Sequence, residues 1–211
     1  MDRATEQALG HIAAEEFARL ADGAPAVLVL PYGIVEGYAS PGAESRTRAF
    51  LAGAETAGLQ IVAQLSPLAA YTEDLDDPTD PDALDEPIAI LMDVGVDYRS
   101  VQYAIRNFPQ ARVIICLDGV PTYGVGRMPG LEDRMVLAVD MYGIAPDWAQ
   151  GLRGGQLSAV IAPRSEPGPD PATRRPSRRE IFDRQYLLVT NENVDAAMPE
   201  ITGAGERNKA F

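Results

Sequence analysis

Apolar residues along this chain recur at two spacings, and the alternation between them predicts the elements. From residue 3 to 21, Leu9, Ile12, Ala13, Phe17 and Leu20 fall three and four apart, one face of a helix. Gly23 is a natural stop for it. Residues 26–30 (AVLVL) are short, continuous and rich in branched side chains, the pattern of a strand covered on both faces. After the Gly- and Pro-rich loop PYGIVEGYASPG, Ser40 followed by Pro41 reads as an N-cap with proline at the first helical position. That helix is predicted to run to about residue 57, with Phe50, Ala54 and Ala57 on one face and Gly58 ending it. LQIVAQL, from Leu59, is the next strand.

The alternation continues. PIAILMDV (87–94) is an apolar run, and Val101, Ala104, Ile105 and Phe108 then fall at helical spacing before Pro109. RVIICL (112–117) is a strand that ends in Asp118-Gly119. MVLAVDMYGIAPDWAQGLRGGQLSAVIAP (135–163) reads as strand, turn, short helix, strand, with Asp140 at the carboxyl end of its first strand. YLLVT (186–190) is the last strand, and the polar tail from about residue 195 is expected to fray. Six or seven strands alternating with helices imply an α/β protein built on a single doubly wound, mostly parallel sheet with helices on both faces. Residues 1–211 are expected to form one domain.

Two segments stand outside this pattern. Residues 71–86 (YTEDLDDPTDPDALDE) hold eight carboxylates and are expected to be an exposed acidic insertion. A calcium loop would need the spacing and glycine of an EF-hand, which are missing. Residues 164–179 form a Pro/Arg-rich loop in which Arg174, Arg175, Arg178 and Arg179 read as a solvated run.

Composition narrows the function. The chain carries a net charge of −13, a field that repels phosphate backbones, so nucleic acid is not an expected partner. No apolar run approaches the roughly 20 residues a membrane helix needs, and the polar, acidic N-terminus is not a secretory signal. A cytoplasmic location is the expectation. The one cysteine, Cys116, excludes an internal disulfide and a Cys-rich zinc site. The one histidine, His11, reads as a half-exposed surface residue, which leaves Ser-His-Asp and His-rich metal chemistry without support. Neither a dinucleotide-type nor a P-loop-type glycine motif is present. No catalytic residue, cofactor or metal is assigned, and the reading leans away from an enzyme.

What remains is a set of polar residues at predicted strand ends, where ligands sit in open α/β sheets. Glu36, Asp93, Asp118 and Asp140 can each accept hydrogen bonds from ligand hydroxyls or cap the following helix. Trp148 could stack on a sugar face or lie in the core. Tyr32, just beyond the first strand, completes the candidates.

Several landmarks together resemble one lobe, the C-terminal one, of the type I periplasmic-binding-protein family, which includes the effector domains of LacI-like repressors. HIAAEEFARLADG running into AVLVLPYG looks like the entry to that lobe. SRTRAFLAGAETAGLQIV resembles its R-x-x-G-[FW] helix and strand, with Arg46 in the arginine place and Ala49 in the glycine place. FPQARVIICLDG resembles its strand ending in Asn-Asp, with Leu117 and Asp118 in those places. The 135–163 stretch is similar to its V-G-x-D-G segment, with Met141 for the last glycine, and FDRQYLLVTNENVDA to its L-V-T-x-E-N-V ending.

The resemblance implies a non-enzymatic domain for a small, sugar- or polyol-like ligand, or a decayed version of one. Arg46 would donate a bidentate pair, Asp118 and Asp140 would accept from hydroxyls, and Tyr32 and Trp148 would line the site. The family closes two lobes on its ligand. A partner chain, or a second copy in a homo-oligomer, would then have to supply the other wall. The alternative is a structural or assembly subunit that acts through protein–protein contacts and binds no small ligand. PYGIVE also looks like the P-x-G-x-x-E segment of creatininase-type amidohydrolases, with Glu36 in a metal-ligand place and Tyr38 where a histidine is expected.

Overall fold

The structure is a computed structural model that describes residues 2–32, 34, 37, 39–72, 96, 98–121, 129–140, 145–168 and 175–201. Its elements in chain order are α1 (Arg3–Ala21), β1 (Ala26–Val29), α2 (Pro41–Ala57), β2 (Ile61–Leu65), α3 (Ala69–Thr72), α4 (Tyr98–Asn107), β3 (Val113–Cys116), β4 (Met135–Val139), α5 (Ala145–Arg153), β5 (Ala159–Pro163), α6 (Arg178–Gln185), β6 (Tyr186–Thr190) and α7 (Val194–Ile201). The strands form one sheet in the order β2-β1-β3-β4-β5-β6. The first five are parallel, and β6 runs antiparallel to β5. The α/β, mostly parallel architecture expected from the hydrophobic pattern is the one observed.

The strands are continuous apolar runs because both faces of the sheet are covered. Val27, Ile114, Val136 and Val160 point to a layer holding Val101, Ile105, Trp148, Leu152 and Ile201 of α4, α5 and α7. Leu28, Ile115, Leu137 and Ile161 point the other way, to Leu9, Phe17, Phe50 and Phe182 of α1, α2 and α6. Successive residues of one strand thus feed two cores, as the period of two requires.

Helix boundaries follow the capping chemistry. Ser40 accepts from the Ala43 amide at 3.2 Å, Pro41 opens α2, and Gly58 closes it in the left-handed conformation. Asp2 caps α1 by accepting from the Thr5 amide at 2.8 Å. The left-handed turn that ends α1 begins at Asp22, one residue before the glycine named as its stop, and continues through Gly23.

Three expectations are corrected. The Pro/Arg-rich loop does not extend to residue 179. Ser177 and Glu180 form a reciprocal capping box that starts α6 at Arg178, and Arg179, though exposed, pairs with Glu15 and Glu16 of α1. The tail does not fray at residue 195. α7 runs to Ile201 because Val194, Ala197 and Ile201 are buried against the sheet layer, and Glu200 pairs with Arg164 beyond β5. Tyr71 and Thr72 lie in α3, with Tyr71 buried, so the expected exposed acidic stretch does not begin at residue 71; its remainder, the 87–94 apolar run, and Glu36, Tyr38 and Asp93 lie outside the described residues.

Candidate ligand-binding site

The strand order places β2 on one side of β1 and β3 on the other. The chain therefore leaves β1 and β3 toward opposite directions of the sheet, and the carboxyl ends of that strand pair are where an open α/β sheet places a ligand. Tyr32 follows β1, Asp118 follows β3 and Asp140 follows β4. Cys116 is paired with Ala138, so Asp118 and Asp140 leave adjacent strands at the same level. Gly119, at φ 105, takes a conformation that a side chain would strain, and its amide donates to the Val139 carbonyl at 3.0 Å. That bond holds the Asp118 turn against the exit of β4.

Helices bring further charge to this edge. Arg46, in the second turn of α2, donates from Nη1 to Glu6 Oε2 at 2.9 Å and from Nη2 to Asp118 Oδ1 at 3.3 Å. The Arg46 side chain is only 4% exposed, against 7% for Glu6 and 19% for Asp118. Each terminal nitrogen already serves a carboxylate, so the guanidinium is a clamp between α1, α2 and the β3 exit. Its Nε is buried and has no hydrogen-bond partner among the described residues. Tyr186, the first residue of β6, is buried at the same edge. Loss of solvent, reinforced by the Glu6 carboxylate, pushes its phenol well above the ordinary range.

Asp140 is turned inward and is 1% exposed. It accepts from the Trp148 indole Nε1 at 2.8 Å. Trp148 is fully buried, in the layer formed by α4, α5 and α7, so its ring faces are core contacts. The pair ties the start of α5 to the end of β4. Tyr32 is 6% exposed and packs with Tyr71, whose ring also carries the Arg99 guanidinium at 4.9 Å.

The edge thus brings Arg46 and Asp118 into contact and sets Asp140 on the neighbouring strand, with Tyr32 next in line on β1. Glu6 and Tyr186 belong to the same edge and were absent from the sequence-derived set. Glu6 was readable. It stands three, seven and eleven residues before Leu9, Ala13 and Phe17, on the buried stripe of α1. A charge on such a stripe calls for a buried partner.

No family model and no curated protein matches the chain. Solved structures do. The sugar-binding protein of a sugar ABC transporter from Bacillus halodurans superposes with a TM-score of 0.54 at 16% identity, over 90% of this chain and 64% of that one. An arabinose-binding protein from Geobacillus stearothermophilus gives 0.53 at 14% identity, over 90% and 62%. A Bacteroides fragilis protein assigned to the LacI transcriptional regulators gives 0.52 at 16%, over 91% and 61%. The fold is that of a type I periplasmic-binding-protein lobe. The chain spans less than two thirds of the length of these binding-protein neighbours. Among the described residues, no helix is long and apolar enough to cross a membrane, and no group of three metal-ligating side chains converges.

Proposed function

We propose that this chain is a non-enzymatic binding lobe that takes a small polyhydroxylated ligand, of the sugar or polyol class, at the carboxyl edge of β1 and β3. The observation that carries the reading is the Arg46–Asp118 contact at the point where the strand order reverses. Asp118 is the most exposed member of the Glu6–Arg46–Asp118 cluster. A carboxylate accepts up to about four hydrogen bonds, so Asp118 can accept from ligand hydroxyls beside the contacts it already makes. Arg46 acts on the ligand through Asp118, holding the carboxylate fixed. A carboxylate held this way loses little entropy when a hydroxyl arrives. Asp140 and Trp148 position the neighbouring turn, and Tyr32 supplies an aromatic wall.

Half a cleft leaves a ligand in contact with water, and affinity then falls. We infer that a second wall, from a further segment, a partner chain or a second copy, completes the site.

Calorimetry tests the reading. The purified chain is titrated with a panel of pentoses, hexoses, polyols and nucleosides, with Asp118→Asn and Asp118→Ala as variants. At least one compound should bind, and both variants should weaken it by about tenfold or more, the loss expected when a charge-assisted hydrogen bond is removed. No binding across the panel, or equal binding by both variants, rejects the site.

A further inference from the structure

The buried Glu6–Arg46 pair lies on the inner side of α1 and α2, and a second basic cluster occupies their outer side. Arg48 stands two residues beyond Arg46, roughly 200° around the helix, and is exposed where Arg46 is buried. It lines a cleft of about 230 Å³ together with Arg3, Gln7 and His11 of α1, Ser45 of α2 and Arg178 of α6. A neighbouring cleft of about 240 Å³ shares Arg3, Ser45 and Arg48, and Glu44 is the carboxylate on its wall. Several other surface arginines of this acidic chain are paired with carboxylates. Arg19 pairs with Glu16, Arg153 with Asp195, and Arg179 with Glu15 and Glu16. Arg3, Arg48 and Arg178 form no ion pair with any described residue. Three elements therefore point unpaired guanidinium groups at one cleft, on a molecule whose net charge is −13.

We propose that this cleft is a second binding site, for a dianionic oxyanion of the phosphate type. Guanidinium forks match tetrahedral oxyanions in geometry and charge, and three of them exceed what a single carboxylate needs. The cleft is smaller than the roughly 300 Å³ at which pockets for drug-sized ligands begin, so it fits a free anion or the phosphate of an ester, not a whole nucleotide. A polyanionic strand is disfavoured by the field of the rest of the protein. His11 sits in the wall. Burial, then the Arg178 charge, holds its imidazole below the ordinary value, and Glu15 opposes them. The same imidazole is a built-in reporter, because it is the only histidine in the chain.

The experiment is a proton NMR titration of the His11 ring against pH, with sodium sulfate, inorganic phosphate or glycerol phosphate added. Sodium chloride at matched ionic strength is the reference. A bound dianion should raise the His11 pKa above the chloride reference, and the shift should saturate with concentration. Arg48→Ala and Arg178→Ala are exposed substitutions and should each weaken the apparent affinity by about tenfold. Arg19→Ala, outside the cleft, should leave it unchanged. Tighter binding of glycerol phosphate than of inorganic phosphate would identify the natural ligand as an ester, and the reverse order as the free anion. The proposal is overturned if chloride reproduces the shift, if both cleft variants bind as the parent does, or if an aspartate-rich peptide moves His11 while none of the three oxyanions does.

Discussion

Gly10→Ala separates what helix chemistry alone predicts from what the packing predicts. In an isolated helix, alanine is better than glycine by about 1 kcal/mol. In this fold, a Cβ at residue 10 would lie 2.3 Å from the Arg46 carbonyl oxygen, 2.9 Å from Ala49 Cβ and 2.9 Å from the Phe50 amide nitrogen. A carbon–oxygen contact needs roughly 3.3 Å. The shortfall is therefore about 1 Å, and the atoms in the way are backbone or Cβ, which no rotamer change can move. α1 and α2 must part. Overpacking of this kind costs about 1–3 kcal/mol. The same displacement stretches the Glu6–Arg46 bond, one turn away and now 2.9 Å, beyond normal hydrogen-bond range. Offsetting the helix gain of about 1 kcal/mol against about 1 kcal/mol for the weakened Glu6–Arg46 bond, the net loss should be about 1–3 kcal/mol. For a chain of this size that lowers Tm by about 2–4 °C per kcal/mol. Gly53→Ala meets Ala14 Cβ at 3.0 Å and the His11 Cα at 3.2 Å, so it should cost less. Thermal melting by circular dichroism, with urea unfolding for the free energies, gives both values. A Tm for Gly10→Ala equal to or above that of the parent would refute the close crossing and the buried cluster that depends on it.

Other consequences are open to the same measurements. Arg46→Met removes the only cation beside buried Glu6 among the described residues, and should cost about 3–5 kcal/mol in urea unfolding; adding Glu6→Gln should restore part of that loss. Trp148→Phe keeps a ring in the core but removes the indole hydrogen bond to buried Asp140, and should cost about 1–3 kcal/mol by the same assay. Stability should also depend on acid. The Asp2 carboxyl is held below its usual value by accepting from the Thr5 backbone amide, and the Glu180 carboxyl by accepting from the Ser177 amide. The unfolded chain then binds more protons, so both contributions are present above the usual values of 3.8 and 4.5 and fade as pH falls through and below them. The urea midpoint should drop over that range, and Asp2→Asn with Glu180→Gln should flatten the drop; an equally steep drop in the double variant would refute the assignment.

Much of the fold was legible because its signals are local. The Ser40-Pro41 start and Gly58 stop of α2 are capping chemistry, and AVLVL, RVIIC and MVLAV are strands because both of their faces are covered. α6 was missed because its eight residues, RREIFDRQ, carry almost no apolar stripe. Its one strong signal is the Ser177–Glu180 box, three residues apart. α7 was missed because Pro199 stands inside it and the sequence on either side is polar, while only Val194, Ala197 and Ile201 mark the buried side. Of the candidate site, the strand-end places of Asp118 and Asp140 were legible; the part of Glu6 and Tyr186 in that edge and the wiring between residues were not. Asp118 and Asp140 at neighbouring strand ends follow from alternation of strands and helices. That Arg46 reaches both Glu6 and Asp118 follows from the close approach of α1 to α2 at Gly10 and Gly53, a contact between helices that no local pattern encodes.

The proposed place for ligand is the carboxyl edge of β1 and β3. The most direct measurement is a set of amide nitrogen–proton NMR spectra recorded as the tightest compound of the sugar and polyol panel is added. Shifts concentrated at Leu30, Leu117, Asp118, Gly119 and Asp140, and lost in Asp118→Asn, are the predicted result. Shifts confined to the opposite end of the strands, around Ala26, Val113 and Ser158, or unchanged in the variant, would contradict it.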